Sequence, residues 1–219
     1  PSACAAMRNW TSTWTDLPPS RSTAPLYSIM DESNIYFFDP VELDMPPLPA
    51  DGYMLDIGGG GEGVIGRLAG ARVVAIDLRK DELAEAPEGP LKVVMDAREL
   101  KFLDETFVAV TAFFAFMYFD DEPDLQAALA EALRVLKPGG RLHVWDVDMA
   151  ASPKTRKPLF AVRLKYLAEG RWCEAAYGRP WPAQTRDSQS CRRLAEAAGF
   201  SHVNTEIAAH TFYATFRKP

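Results

Sequence analysis
The sequence predicts an α/β domain whose sheet is largely parallel and covered on both faces. Three observations predict it. From residue 53 to 148, short apolar runs alternate with helical segments. Those runs are apolar throughout rather than every second residue, as in strands buried on both faces. A glycine cluster stands at the first strand-to-helix junction, the edge on which open α/β sheets bind ligands.

Each element follows from its own signals. "YMLDI" (53–57) is a buried strand ending at glycines, and "VIGRLAG" (64–70) is a helix closed by Gly70. "RVVAID" (72–77) is the second strand; "RKDELAEA" (79–86) is a short helix stopped by Pro87; "LKVVMDA" (91–97) is the third strand. "FVAVTAFFAFMY" (107–118) begins as a fourth strand. "EPDLQAALAEALRVLK" (122–137) is an amphipathic helix with Pro123 in its first turn and "PGG" as its stop. "RLHVWDVD" (141–148) is the fifth strand. "LFAVRLKYLAEGRWCEAAYG" (159–178) reads as a β-hairpin about an "EG" turn. "SQSCRRLAEAAGF" (188–200) is a helix with Ser188 as cap and Gly199 as stop. "SHVNTEIAAHTFYATFRK" (201–218) gives two strands about a tight turn. Residues 1–40 form an expected arm or lid: the first 25 lack periodicity, and residues 34–52 are a Pro-punctuated lead-in. Residues 41–219 form one expected domain, with neither internal repeat nor interdomain linker.

Composition narrows the function. The 219 residues are 47% hydrophobic and 25% charged, a globular balance. The net charge of −6 argues against nucleic acid or an anionic membrane surface as partner. No apolar run reaches the roughly 18 residues of a membrane span. Cys4, Cys173 and Cys191 lack the spacing of a zinc site or disulfide framework, so reduced thiols are expected. With no signal-peptide pattern, the expected location is cytoplasmic. Oligomeric state leaves no signal.

Gly58 to Gly61, in "MLDIGGGGEG", lie where a ligand can meet backbone N–H groups and the positive end of a helix. Asp77 ends the next strand at the spacing of a carboxylate that accepts from ribose hydroxyls. Asp96 ends the third strand, where a carboxylate can accept from an exocyclic amine. With Asp56, all sit on the carboxyl edge of the sheet.

"LDIGGGGEG", "VVAIDL", "VVMDARELKF", "FVAVTAFFAFMYF" and "VLKPGGRLHVWDV" together resemble the successive motifs of class I S-adenosylmethionine (SAM) dependent methyltransferases, over residues 53–148. The resemblance implies a Rossmann-like three-layer sandwich with a seven-stranded, mostly parallel sheet and an antiparallel last strand; the hairpin after the fifth strand is then an insertion. It implies SAM as cofactor or as sole substrate. Gly58 and Gly60 would lie against its methionine and ribose, Asp77 at the ribose hydroxyls, Leu78 beside adenine. Asp96 would take the adenine amine, with Met95 and Ala97 near the ring and Phe113 and Phe114 flanking the sulfonium. Asp56 fills the family's acidic position and favours SAM over a nicotinamide. Glu62 departs from the pattern, standing where a third glycine is usual.

In-line methyl transfer needs alignment and exclusion of water, with a general base optional. Where many relatives carry histidine this chain reads "FMYF", placing Met117 and Tyr118 there. His143, His202 and His210 read as structural. Asp146 and Asp148 share a strand face but lack a third metal ligand, so no metal is expected. The pocket reads as aromatic. Tyr118, and Tyr177 and Trp181 in the lid candidate "YGRPWP", are the candidate catalytic residues; aromatic faces attract a sulfonium. Tyr27, Tyr36 and Phe37 belong to a second lid candidate. The leading expectation is a methyltransferase acting on a small molecule. One alternative is a cyclase or lyase of the azetidine-2-carboxylate synthase type, which converts SAM itself to methylthioadenosine and a cyclic amino acid. The others are a non-catalytic SAM-binding protein and a nicotinamide oxidoreductase.

Overall fold
The computed structural model describes residues 32–151, 153–168, 170–183 and 186–219. In chain order the elements are β1 (Ile35–Phe37), β2 (Val41–Leu43), β3 (Met54–Ile57), α1 (Val64–Ala69), β4 (Val73–Asp77), α2 (Lys80–Glu85) and β5 (Leu91–Val94). They continue with β6 (Phe107–Phe113), α3 (Glu122–Val135), β7 (Leu136–Val147), β8 (Leu159–Ala168), β9 (Arg171–Pro180), α4 (Ser188–Ala197), β10 (Ser201–Ala208) and β11 (Thr211–Arg217).

The central sheet has seven strands in the order β10-β11-β7-β6-β3-β4-β5. β3 runs parallel to β4 and β6, and β11 antiparallel to β7 and β10. The strand order reverses at β3, so a crevice opens beyond the carboxyl ends of β3 and β6. Successive residues of β3 face opposite layers, and both layers are apolar. Leu55 joins Val110, Val144, Leu129 and Leu194 beneath α3 and α4; Met54 joins Ile65, Phe113, Trp145 and Phe160 on the other side. This two-sided burial is why the strand sequences are apolar without alternation.

The hairpin expected over 159–178 forms as β8 and β9 and runs on to Pro180. Its other edge holds a surprise. β1 and β2, inside the stretch read as a Pro-punctuated lead-in, pair parallel with β8, with Ile35 opposite Leu159 and Val41 opposite Leu164. Strands of three residues owe their existence to a distant partner, so they leave no local periodicity to read.

Two expected helix boundaries move. No irregular stop follows α3: β7 begins at Leu136, and the "KPGG" segment pairs with the chain end through Gly139 N–H to Lys218 O (3.0 Å) and Lys218 N–H to Gly140 O (2.9 Å). The cap of α4 is Asp187 rather than Ser188. Asp187 Oδ1 accepts Ser190 N–H (2.7 Å) while Ser190 Oγ accepts Asp187 N–H (2.8 Å), a reciprocal capping box. The Ser188 hydroxyl is spent elsewhere, donating to Asp148 Oδ2 (2.7 Å). Asp187→Ala is expected to lower unfolding free energy by about 1 kcal/mol; a urea titration should show a lower midpoint at unchanged slope.

Candidate active site
The turn after β3 is built by close approach. Gly58 has φ of 70°, and a Cβ there would lie 2.7 Å from Cβ of Ala115, so both conformation and space demand glycine. Gly58 and Gly59 N–H donate to Ile76 O (2.9 and 3.0 Å), binding the turn to β4. A Cβ on Gly60 would sit 2.8 Å from Asp77 Oδ2 and 2.6 Å from Cβ of Glu82. Gly61 N–H donates to Glu82 O (2.8 Å), so α2 leans on the turn.

Four carboxylates border this turn: Asp56, Glu62, Asp77 and Glu82. Asp56 is 2% exposed and accepts the Thr111 hydroxyl (2.7 Å). Burial pushes its pKa up to about 7, with Thr111 pulling down and Asp77 pushing up. Burial likewise raises Glu82 to about 7, against Arg79, with Asp77, Asp81 and Glu85 adding to the rise. Asp77 and Glu62 are also raised, chiefly by burial. Asp77 accepts the amides of Arg79 (2.9 Å) and Gly60. Arg67 acts on Glu62, and Arg79 acts on Asp77 and Glu82. Four partly buried acids against two guanidinium groups make a cradle suited to a cation.

Across the turn stands an aromatic wall. Phe114 is fully buried at φ of 51°, unusual for a bulky side chain; its N–H donates to Trp145 O (2.8 Å). Tyr177 stacks on Phe114 (centroids 5.2 Å apart, 13° between planes), and Phe113 meets both edge-on. Tyr177 belongs to β9, so "YGRPWP" is strand up to Pro180 and not a free loop. Tyr118 lies on a short 3-10 turn (Phe116–Tyr118), and its hydroxyl donates to Gly178 O (3.2 Å). Burial raises the Tyr177 phenol well above its usual pKa. Tyr118 is 46% exposed as a residue, and its phenol is raised because the hydroxyl end is turned inward onto Gly178 O, so both act as neutral hydroxyls.

Sequence reasoning missed what holds this 3-10 turn. Arg186 donates to Phe116 O (3.1 Å) and Phe119 O (2.5 Å); Arg179 donates to Met117 O and to Asp120 (2.7 Å). Asp146 Oδ2 accepts Met117 N–H (2.8 Å) from inside, its pKa pushed to about 7 by burial. Asp148 accepts Ala150 N–H (3.0 Å) and the Ser188 hydroxyl. Both aspartates thus act as internal acceptors, and among the described residues no group of three or more His, Cys, Asp or Glu is placed to hold a metal. Beneath the turn, Phe116, Asp146, Arg186 and Cys191 line a cavity of about 30 Å³.

The remaining candidates divide. Leu78 is 64% exposed beside Asp77, an uncovered apolar rim. Met95 is half-buried, its N–H on Asp77 O (3.0 Å), and Ala97 is buried. Asp96 is already engaged: Arg98 Nε and Nη2 reach its carboxylate (3.0 and 2.7 Å) and hold its pKa low. Trp181 stands apart from Phe114 and Tyr177; it packs on Phe160 (4.7 Å) and donates to Lys157 O (2.9 Å), in a cluster with Tyr36 and Phe38. Tyr27 lies outside the described residues.

Residues 55–144 match the model of a methyltransferase domain. The ubiquinone/menaquinone biosynthesis C-methyltransferase UbiE of Paracoccus denitrificans is 36% identical over 119 residues, 48% of this chain and 46% of that protein. The demethylmenaquinone methyltransferase of Mycobacterium sp. (strain KMS) is 32% identical over 150 residues, 62% of this chain and 60% of that one. The chain thus spans about half the length of the first of these relatives, 46%, and 60% of the second. Among solved structures, a SAM-dependent methyltransferase from Methanosarcina mazei superposes with a TM-score of 0.57 at 18% identity, over 80% of this chain and 99% of that one. One from Mesorhizobium loti gives 0.56 at 17%, over 78% and 93%. The cyclase SpnF also shares the fold (0.55 at 20%, over 78% and 77%).

Arg186→Met removes two donors from the Phe116–Tyr118 turn. Amide exchange at Tyr118 and Phe119, whose N–H groups close that turn, is expected to quicken roughly tenfold relative to the strands; native-state hydrogen exchange measures it.

Proposed function
We propose, from the methyltransferase-domain match over residues 55–144 and the shared fold, that the chain is a class I SAM-dependent methyltransferase that transfers a methyl group from SAM to a small-molecule acceptor. The observation that carries this reading is the cradle of buried carboxylates on the glycine turn, facing the Phe114–Tyr177 stack. When bound, SAM supplies an electrophilic methyl on a positive sulfur. Asp77 accepts from ribose hydroxyls; Gly58 and Gly60 keep the turn free of side chains; Leu78 gives an apolar edge to the base. Asp56, Glu62 and Glu82 balance positive charge in a site where water is scarce. Phe113, Phe114 and Tyr177 exclude water and offer aromatic faces. Asp96 serves the base only through the oxygen lone pairs that Arg98 leaves open.

The acceptor we favour is a planar, quinone-like ring. Two relatives are named for quinone methylation, and the aromatic wall suits a flat molecule. No side chain on the Phe116–Tyr118 turn is a strong base, since Tyr118 is held neutral. With no base on that turn, the acceptor we favour is one nucleophilic in its own right. One observation favours a second reading: Tyr177 lies flat on Phe114, so the aromatic faces are already paired with each other and leave less open surface for a separate acceptor. Under that reading SAM is the whole substrate, and its own amine attacks the carbon next to sulfur to release methylthioadenosine.

Incubating the protein with SAM alone separates the two. Stable SAM, with S-adenosylhomocysteine formed only after a quinol is added, supports methyl transfer; methylthioadenosine released above the protein-free rate overturns it. Asp77→Ala is expected to weaken SAM binding by about 1–3 kcal/mol by calorimetry, the worth of a charge-assisted hydrogen bond.

A pH dependence follows as well. Asp56 and Glu82, near 7 in the free protein, should ionise when a cation binds beside them. Binding then releases protons, so affinity rises with pH up to about 7 and levels off above. From pH 6 to pH 8 the expected gain is about tenfold for each group that ionises, measurable by calorimetry in buffers of different ionisation enthalpy.

A further inference from the structure
We propose that Glu62 sets the charge selectivity of this site, making the protein prefer a sulfonium nucleoside over its neutral thioether product. The inference rests on the reading of the glycine turn as the SAM site.

Glu62 has little freedom to be anywhere else. Its neighbours Gly61 and Gly63 both take left-handed φ (56° and 51°). Gly61 N–H is fixed to Glu82 O (2.8 Å) and Gly63 N–H to Gly60 O (3.1 Å). A Cβ on Gly63 would strike Pro87 Cδ at 2.5 Å, so the start of α1 is wedged against the end of α2. Arg67 Nε, one turn along α1, donates to Glu62 O (3.2 Å) rather than neutralising the carboxylate at contact distance. The side chain is half-buried between α1, α2 and β9. Arg67 and Glu85 act on its charge, Arg67 lowering and Glu85 raising its pKa, and its own charge acts on Tyr177. The Tyr177 phenol is raised first by burial and then by the charge of Glu62, with Tyr166, Tyr118 and Asp56 adding less. Tyr177 in turn lies on Phe114. Glu62 therefore links the glycine turn to the aromatic wall, a second and independent side of the same space.

The consequence is electrostatic. SAM carries an ammonium, a sulfonium and one carboxylate, a net charge of about +1; S-adenosylhomocysteine keeps the first and last and is net neutral. The two molecules otherwise present the same adenosine and amino-acid groups. A partly desolvated carboxylate with no contact partner among the described residues discriminates between them by charge alone. Glycine at position 62 would leave the hydrogen bonds of the turn intact and remove that field. The physical benefit is product release: loss of the methyl cation weakens binding at the moment the reaction is over.

The test is calorimetric titration of SAM and of S-adenosylhomocysteine into the wild type, Glu62→Gln and Glu62→Gly. Wild type should bind SAM more tightly, and both variants should lose SAM affinity by about tenfold while S-adenosylhomocysteine changes less than twofold. Unchanged product affinity doubles as the control that the turn is folded. Equal losses for both ligands, or no loss for either, overturn the assignment to Glu62 while leaving the SAM site standing. A wild type that binds neither ligand overturns both readings together.

Discussion

The structure depends on one constraint: the backbone from Gly58 to Gly63 is pressed against three other elements at once. Ala115 closes on Gly58, Asp77 and Glu82 close on Gly60, and Pro87 closes on Gly63, each nearer than a side chain would permit. These contacts come from the end of β6, the end of β4 with α2, and the loop after α2. The turn therefore gathers the carboxyl ends of the strands at the point where the strand order reverses. Glycine is costly to order, and that cost is offset by bringing backbone amides and acidic side chains into one small volume. Remove the close approach and the carboxylates have no common space to share.

That gathering creates an electrostatic debt. Asp56, Glu82 and Asp146 all ionise near 7 instead of near 4, each because burial penalises its charged form. Their folded-state pKa values are raised, so the stability linked to them is fully present below about 4. It is lost as pH rises toward 7, where the unfolded chain holds fewer protons than the native one. The three are not equivalent. Asp146 accepts backbone N–H groups and lies near Arg179 and Arg186, so its environment is complete without a ligand. Asp56 and Glu82 flank the glycine turn, where positive charge placed beside them would offset the cost that burial puts on their ionisation. The same shift is answered by internal donors in one place and lies beside the turn in the other.

Much of this was legible in the residues. The apolar runs of β3, β4 and β6 name strands buried on both faces, and the glycines, Asp56 and Asp77 share one edge because strand, turn and helix follow in fixed order. What stayed hidden depends on partners far along the chain. Ile35–Phe37 and Val41–Leu43 are strands only because β8 lies beside them. Asp96 was legible as a strand-end carboxylate, but nothing local says that Arg98 bridges it to Asp124. Trp181 sits four residues from Tyr177, yet the strand ends between them, and the indole turns to Phe160 instead. Arg179 lay inside "YGRPWP" without a role of its own, and Arg186 lay in no motif; an arginine that donates to carbonyls of another loop looks, in sequence, like any surface arginine. Tyr27 belongs to a segment outside the described residues, and its assignment rests on resemblance alone.

The hairpin insertion makes this more than a generic nucleotide cradle. β9 supplies Tyr177 to the aromatic wall, Gly178 O to the Tyr118 hydroxyl, and Arg179 to Met117 O. Three consecutive residues of one strand thus reach Phe114 at the end of β6 and the 3-10 turn that follows it. Because strand neighbours point to opposite faces, Tyr177 and Arg179 share a face while Gly178, between them, offers its backbone carbonyl. A shift of one residue in the β8–β9 register would withdraw all three contacts together. The aromatic wall and the hold on the 3-10 turn are therefore set by sheet register rather than by a loop. Tyr177, which the insertion supplies, is also the hydroxyl on which the charge of Glu62 acts, so the hairpin and the glycine turn share one electrostatic environment. On this geometry the insertion has to stay docked for the cradle to be complete, and the shared fold does not specify the acceptor by itself.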